Sequence, residues 1–423
     1  MGLIADLGGT NARLALVDRS GRVHARRAYR AAEFTSVEDV LERYRKDAAV
    51  PAFPPAAVLG VAGQVAFGRA RFTNLDWEVD SRALRETFGF RTLELINDFV
   101  AQALAVPELA APDLRPLGPR RSRQPGVVTV IGAGTGFGAA VLVPGRDGDI
   151  SIASEAGHTG FAPTDDVELD LWRRLKARHG RVSIERVLSG PGLVAIYERF
   201  CEARGCHPAA GQPAQVVVAA GEGDTVAREA LERFVRIYGE VAGDLVLTFG
   251  ASGGAYLSGG IAPKIYEWLN TGAFRTAFEG KGRLTDYLRK APTFLVTHPD
   301  PGLLGAARRL RQLQSADATP GANGAASRVR PVPRRPSAPT KAIRSPSKPE
   351  DRASPLTSAL ASGYSSATMG RSTTSSRSGN SGRTAVPSTG TASPAPTAGR
   401  SGSQASGIAA PPLTPARSAA SPS

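Results

Sequence analysis

The chain has 423 residues, 41% of them hydrophobic, which is enough for packed cores in two or three domains, and a formal charge of +14. Its two cysteines, Cys201 and Cys206, have no Cys or His cluster at zinc spacing beside them, which excludes a disulfide scaffold and a structural zinc. No window approaches 18 uncharged apolar residues and no charged leader with a cleavage site precedes "MGLIADLGGTNARLALVD", so the expectation is a cytoplasmic protein with no membrane span.

In chain order, residues 3–17 read as two short strands joined at "DLGGTN", a turn where positive φ is tolerated. "SVEDVLERYRKDAA", residues 36–49, has Val37, Val40, Leu41 and Tyr44 at helical spacing and a Ser with Asp three residues later, the pattern of a capping box. A strand near 57–61, a glycine-punctuated segment through Trp77, a helix over 81–88 and a strand over 92–96 follow. Apolar helical spacing resumes after Asp98, which by itself suits a cap of a helix starting at Phe99. "GVVTVIGAGTGFGAAVLV", residues 126–143, repeats the opening hairpin. Helices are expected from Ser189 and from Asp224, a shorter one near Pro263, then the strand "TFLVTH" and the helix "PGLLGAARRL". From Ser315 onward there are thirteen Lys or Arg against three Asp or Glu, so +10 of the total charge lies there, with almost no aromatic residues. Such a segment cannot bury enough surface to offset its ordering entropy, and 315–423 is expected to be a disordered, basic, Ser/Pro/Ala-rich tail.

The glycine-rich turns need one chemical explanation. Walker A is excluded because no G-x-x-x-x-G-K-[ST] occurs, and "GAGTGFG" puts Phe137 where a dinucleotide fingerprint needs its last glycine. What is left is a hairpin turn whose backbone N–H groups face an anion. Two such hairpins across a cleft would hold the phosphates of one nucleotide, and Asp6, at the first turn, would help hold hydrated Mg²⁺.

"ADLGGTNARLAL", "TNLDW", "INDF", "GAGTGFG", "EAGH", "ERVLSGPGL", "SGGIAPK", "GAFRTAFEGKGR" and "DPGLLGAA" stand in the order seen in bacterial glucokinases, which the chain resembles over residues 2 to about 314. The resemblance implies the α/β, two-domain actin-like ATPase (hexokinase-type) fold, with a cleft between a small α/β domain, 1–108 completed by a helix at about 297–314, and a larger α+β domain, 109–296. It implies ATP and Mg²⁺ as cofactors, glucose as substrate, phosphorylation at the 6-hydroxyl and a homodimer. Residue by residue, it makes Asp98 the general base and Asn97, Glu155, His158 and Glu185 the groups that bind sugar hydroxyls. Ala5, Asp6, Leu7, Gly8, Gly9 and Thr10 match the first phosphate loop, Gly134, Thr135 and Gly136 the second, and Gly259 and Gly260 the turn near the adenosine. The chemistry agrees, because carboxylates, an amide and an imidazole are what a neutral polyhydroxyl ligand calls for.

Blander fates exist for each residue. His158 suits an ordinary surface or core histidine, Glu185 an ion pair with Arg186, Trp77 and Phe72 the core, and Cys201 and Cys206 inert helix thiols. The competing functions are a sugar-sensing regulator, which would bring a DNA-binding domain that neither end shows, and a kinase whose basic tail also binds nucleic acid.

Overall fold

The computed structural model describes residues 1–119, 122–146 and 148–318. It opens on three antiparallel strands, β1 (Gly2–Leu7), β2 (Asn11–Val17) and β3 (Val23–Arg30). The first two are the expected hairpin. β3, "VHARRAYR", was not foreseen, because neither of its faces is buried and no apolar alternation results. Helix α1 (Val37–Asp47) starts where Ser36 Oγ accepts the Asp39 N–H at 3.1 Å, and Val37, Val40, Leu41 and Tyr44 are all buried. Only half of the capping box forms, since the Asp39 carboxylate turns to Thr35 instead.

Strand β4 (Ala56–Val61) leads into a small antiparallel sheet, β5 (Gly63–Ala66), β6 (Arg69–Phe72) and β7 (Glu78–Asp80), in place of the irregular segment expected there. Phe72 and Trp77 meet edge to face at 5.3 Å and are buried, so both are core. Helix α2 (Ser81–Phe88), strand β8 (Thr92–Asn97) and helix α3 (Asp98–Ala105) follow. The first sheet runs β3-β2-β1-β4-β8, with β1, β4 and β8 parallel.

The second sheet repeats the plan with β9 (Leu114–Pro116), β10 (Val128–Ala133), β11 (Phe137–Val143), β12 (Ile150–Ser154), β13 (Gly254–Ser258) and β14 (Thr293–Val296), in the order β12-β11-β10-β13-β14-β9. Between β12 and β13 run α4 (Asp166–His179), α5 (Ile184–Val187), α6 (Gly190–Ala203), α7 (Pro213–Glu222) and α8 (Thr225–Phe249). Ser189 and Asp224 cap α6 and α8 through their side chains, as their positions suggested. Cys201 is buried in α6, but Cys206 lies beyond the helix end and is exposed, so it is not a helix thiol; Gly205, at φ +65, turns the chain away first. The helix expected near Pro263 begins as a 3-10 turn, Ala262–Ile265, and continues as α9 (Tyr266–Leu269), followed by α10 (Ala273–Glu279) and α11 (Thr285–Lys290).

The last helix, α12 (Pro301–Ala318), lies with α3 between the two sheets. Ile4 and Val58 of the first sheet share one apolar cluster with Val130, Leu142 and Tyr256 of the second, through Val100 and Leu104 of α3 and Leu303 and Leu310 of α12. α12 runs past the boundary drawn at 315. From residue 319 onward the tail, and with it the idea of nucleic-acid binding there, lies outside the described residues. Among those described, no helix is long and apolar enough to cross a membrane.

Candidate active site

Asp98 stands at the carboxyl end of β8, beside the ends of the parallel strands β4 and β1, where open α/β sheets meet their ligands. It is not the cap expected of it. α3 begins at Asp98 itself, and the cap is Asn97, held extended at φ −64 and ψ 147. Asn97 Oδ1 accepts from the Phe99 and Val100 N–H groups at 3.0 and 3.2 Å, and its Nδ2 donates to Gly63 O at 3.1 Å. Asn97 does this because the cap must precede the first helical residue, and β8 delivers it there still extended. Asp98 Oδ1 accepts from Phe99 N–H at 2.9 Å. Burial, reinforced by the nearby Asp6 charge, pushes the Asp98 carboxyl up to about 7.

A cavity of about 400 Å³ opens over Asp98. Asn97, Asp98, Gly9 and Thr10 line it from the first sheet, and Gly134, Thr135, Gly136, Glu155, His158, Glu185 and Gly259 from the second half of the chain. A second cavity, about 780 Å³, is walled by Pro191, Val194 and Ala195 of α6, by Gln212 and Pro213, and by Gly260 and Lys264. Thr10, Gly134 and Thr135 line both. The two glycine turns therefore meet where the smaller chamber joins the larger one.

Local structure explains the glycines. A Cβ on Gly136 would collide with the Glu185 carboxylate, and Gly259, at φ +86, would place one 2.9 Å from Ala133 O. Gly8 closes the first turn by donating its N–H to Asn11 O at 2.9 Å, so that amide is already used. Ala5 and Leu7 point into the core and line neither cavity. Asp6 lines neither as well. Its carboxylate sits 3.5 Å from Arg13 Nη1 and so close under the start of α12 that a Cβ on Gly302 would be 2.6 Å from it. Burial raises Asp6 to about 6, against the opposing pull of Arg13.

Glu185, on the short helix α5, does not pair with Arg186. Its Oε2 accepts the Phe137 N–H at 2.9 Å, tying α5 to the second glycine turn. Gln would keep an acceptor for that N–H but lose the charge and put an NH₂ in place of the second carboxylate oxygen; the glucose KM of Glu185→Gln is expected to rise roughly 10- to 100-fold, the scale of a lost charged hydrogen bond, in a coupled spectrophotometric assay. Glu155 and His158 bracket the 3-10 turn Ala156–His158, the first just before it and the second at its end, Oε2 to Nε2 3.9 Å, both half exposed and lining the cavity. Thr73, Asn74 and Gln102 also line this cavity and were not anticipated as site residues. Gln102 follows Asp98 by one helical turn on the same face, a usable signal, and Asn74 belongs to the "TNLDW" stretch.

Asp6 and Asp98 are neighbouring carboxylates, both raised chiefly by burial and further by nearby negative charge, and Arg13 is the cation against Asp6. A divalent cation beside them suits that donor set, with water and phosphate completing its shell, since among the described residues no group of three or more His, Cys, Asp or Glu is placed to hold a metal alone.

Two matched hairpin turns on two sheets, with paired helices between the sheets and a strand-end carboxylate under the cleft, define a sugar kinase of the actin-like fold. The glucokinase family model matches residues 3–313, and the chain belongs to the glucokinase family. The glucokinase of Caulobacter sp. (strain K31) is 44% identical over 310 residues, 73% of this chain and 94% of that protein. That of Chromohalobacter salexigens is 42% identical over 309 residues, 73% of this chain and 97% of the relative. A glucokinase crystal structure from an Antarctic psychrotroph superposes with a TM-score of 0.65 at 34% identity, over 73% of this chain and 98% of that one.

Proposed function

We propose that this member of a family of ATP-dependent glucose kinases moves the γ-phosphoryl group of ATP to the 6-hydroxyl of D-glucose with Asp98 as general base. What supports this reading is the shared wall of Thr10, Gly134 and Thr135, which joins the two cavities, together with Asp98 in the lining of the smaller one. Glucose lies in the smaller chamber against Asn97, Glu155, His158 and Glu185, and the nucleoside in the larger one, with its phosphates across the two turns. Asp98 takes the hydroxyl proton as the oxygen attacks phosphorus, and ADP leaves; positioning and charge neutralisation supply most of the rate in such transfers. Mg²⁺, held through water by Asp6, would supply positive charge to the phosphates. Asn97, its oxygen committed to the cap, keeps one amide N–H for a sugar hydroxyl.

We further infer that the division into residues 1–108 with about 297–314, and 109–296, is the pair of lobes that closes on the sugar, since β8 and β9 fall into different sheets on either side of residue 108. Closure would exclude water from a base poised beside ATP. The family resemblance supports a homodimer, and the need for ATP supports a cytoplasmic setting. A coupled assay of the full chain over glucose, mannose, fructose and glucosamine with ATP and Mg²⁺ tests the assignment: turnover is expected to be fastest with glucose, and no turnover of any hexose would refute it.

A further inference from the structure

We propose that Cys206 and Cys201 form a thiol–disulfide exchange site, in which the exposed Cys206 takes up a small organic disulfide and the buried Cys201 then closes a ring across the end of α6.

The end of α6 brings the two thiols together. The helix stops at Ala203 with Arg204 as its cap, and Gly205 follows at φ +65, the left-handed conformation that a residue without Cβ adopts freely. Two backbone bonds close the turn: Gly205 N–H donates to Glu202 O at 3.0 Å, and Cys206 N–H reaches back to Cys201 O at 2.9 Å. This is the Schellman arrangement, and its longer bond sets the residue after the left-handed one beside the residue three places before the cap. Side chains at those two positions make the contact that usually joins two apolar residues. Here both are cysteine, and they are the two cysteines of the chain.

Side-chain interactions agree. Cys206 Sγ donates to Cys201 O at 3.4 Å. Burial pushes the Cys201 thiol up, the Tyr197 hydroxyl beside it pulls it down, and the Cys206 thiol pushes it up again, so each sulfur lies within reach of the other. Tyr197 is itself held, because its Oη accepts the Ala209 N–H at 3.3 Å. It stands as a fixed donor to the Cys201 sulfur once that sulfur is a thiolate, the form that attacks.

Access sets the order of events. Cys201 is 1% exposed and packs in the core of the second half, whereas Cys206 is open to solvent. The Cys206 thiolate therefore attacks one sulfur of the incoming disulfide, forming a mixed disulfide and releasing one thiolate. The Cys201 thiolate then attacks the Cys206 sulfur, forming the Cys201–Cys206 bond and releasing the second. Two protein thiols are oxidised, one disulfide is reduced, and each thiol proton ends on a released thiolate. The turn already holds the pair in contact, so closure asks for little movement of the backbone. The ring ties α6 to the segment that runs on to Gln212 and Pro213 in the wall of the larger cavity.

Mass spectrometry of the full chain equilibrated with oxidised and reduced glutathione tests this. The unmodified chain is expected to lose two hydrogens, and trypsin, which cuts after Arg204, is expected to leave two peptides joined through Cys201 and Cys206. Cys201→Ser is expected to stop at one glutathione adduct on Cys206. Cys206→Ser is expected to stay unmodified, since the thiol that remains is buried. The exchange constant of the pair with glutathione is expected to be at least about tenfold larger in the native chain than in urea, because the turn gathers the sulfurs only while it is folded. A native chain that accumulates the adduct without closing the ring, or that closes it no more favourably than in urea, overturns the proposal. So does a Cys206→Ser chain with an unchanged far-ultraviolet spectrum whose Cys201 takes up glutathione as fast as Cys206 does in Cys201→Ser.

Discussion

Asp98→Asn is expected to lower turnover by about 10² to 10⁴ while leaving glucose affinity near that of the unmodified chain. The lost group acts only as the proton moves, so kcat and kcat/KM should fall together, whereas the groups proposed to hold the ground-state sugar, Asn97, Glu155, His158 and Glu185, stay in place. Asparagine keeps the volume and the acceptor for Phe99 N–H. Near-normal turnover in a coupled assay would sink the assignment of the base.

The raised carboxyl makes two pH predictions of opposite use. The base must be ionised to accept a proton, so kcat/KM of the unmodified chain should drop as pH falls below about 7, and the variant's residual rate should lose that limb. For stability the sign is the reverse. A carboxyl raised from 3.8 to about 7 by folding contributes stability that is fully present below 3.8 and lost as pH rises through 7. Above that, the folded chain carries a buried charge beside Asp6 that the amide does not. The melting temperature of Asp98→Asn at pH 8 should therefore equal or exceed that of the unmodified chain, with the difference shrinking toward pH 5. A variant that is inactive and also melts lower at pH 8 would be explained by misfolding instead.

Gly305→Ala is expected to destabilise the protein by about 1–3 kcal/mol or more, the range for forcing volume into a well-packed core. α12 crosses α3 at this residue, and a Cβ there would penetrate the carbonyl oxygen of Ala101, with Ala105 N, one turn further along the same helix, 3.0 Å away. Backbone cannot yield as a side chain does. Leu303, Ala306, Ala307 and Leu310 pack beside it between the two sheets, so relief by shifting α12 would disturb that core as well. A urea titration should show a lower midpoint with an unchanged slope. Gly221→Ala, in α7 with nothing near its added methyl, is the control and should be neutral or stabilising by up to about 1 kcal/mol. Equal midpoints for the two variants would mean that the α3–α12 crossing carries no close contact.

The hairpins at 2–17 and 128–143, helix α1 and the strand before Asp98 were legible in the residues, because period and caps are local. Val37, Val40, Leu41 and Tyr44 mark one face of a helix whatever packs on it. The quoted motifs likewise marked out Asp98, Glu155, His158 and Glu185 as one set. Strand β3 was illegible because the partner on its one side, not any buried face, makes it a strand. The cap passed from Asp98 to Asn97 because both side chains can accept the same amides, and only the direction in which β8 enters the turn decides between them. Glu185 took its amide partner from Phe137, 48 positions away, where proximity in sequence had offered Arg186. Local residues thus carry local conformation and chemical type. Which carboxylates line one cavity and which glycine admits a neighbouring carboxylate depend on contacts between distant segments, and those exist only once α3 and α12 have drawn the two sheets together.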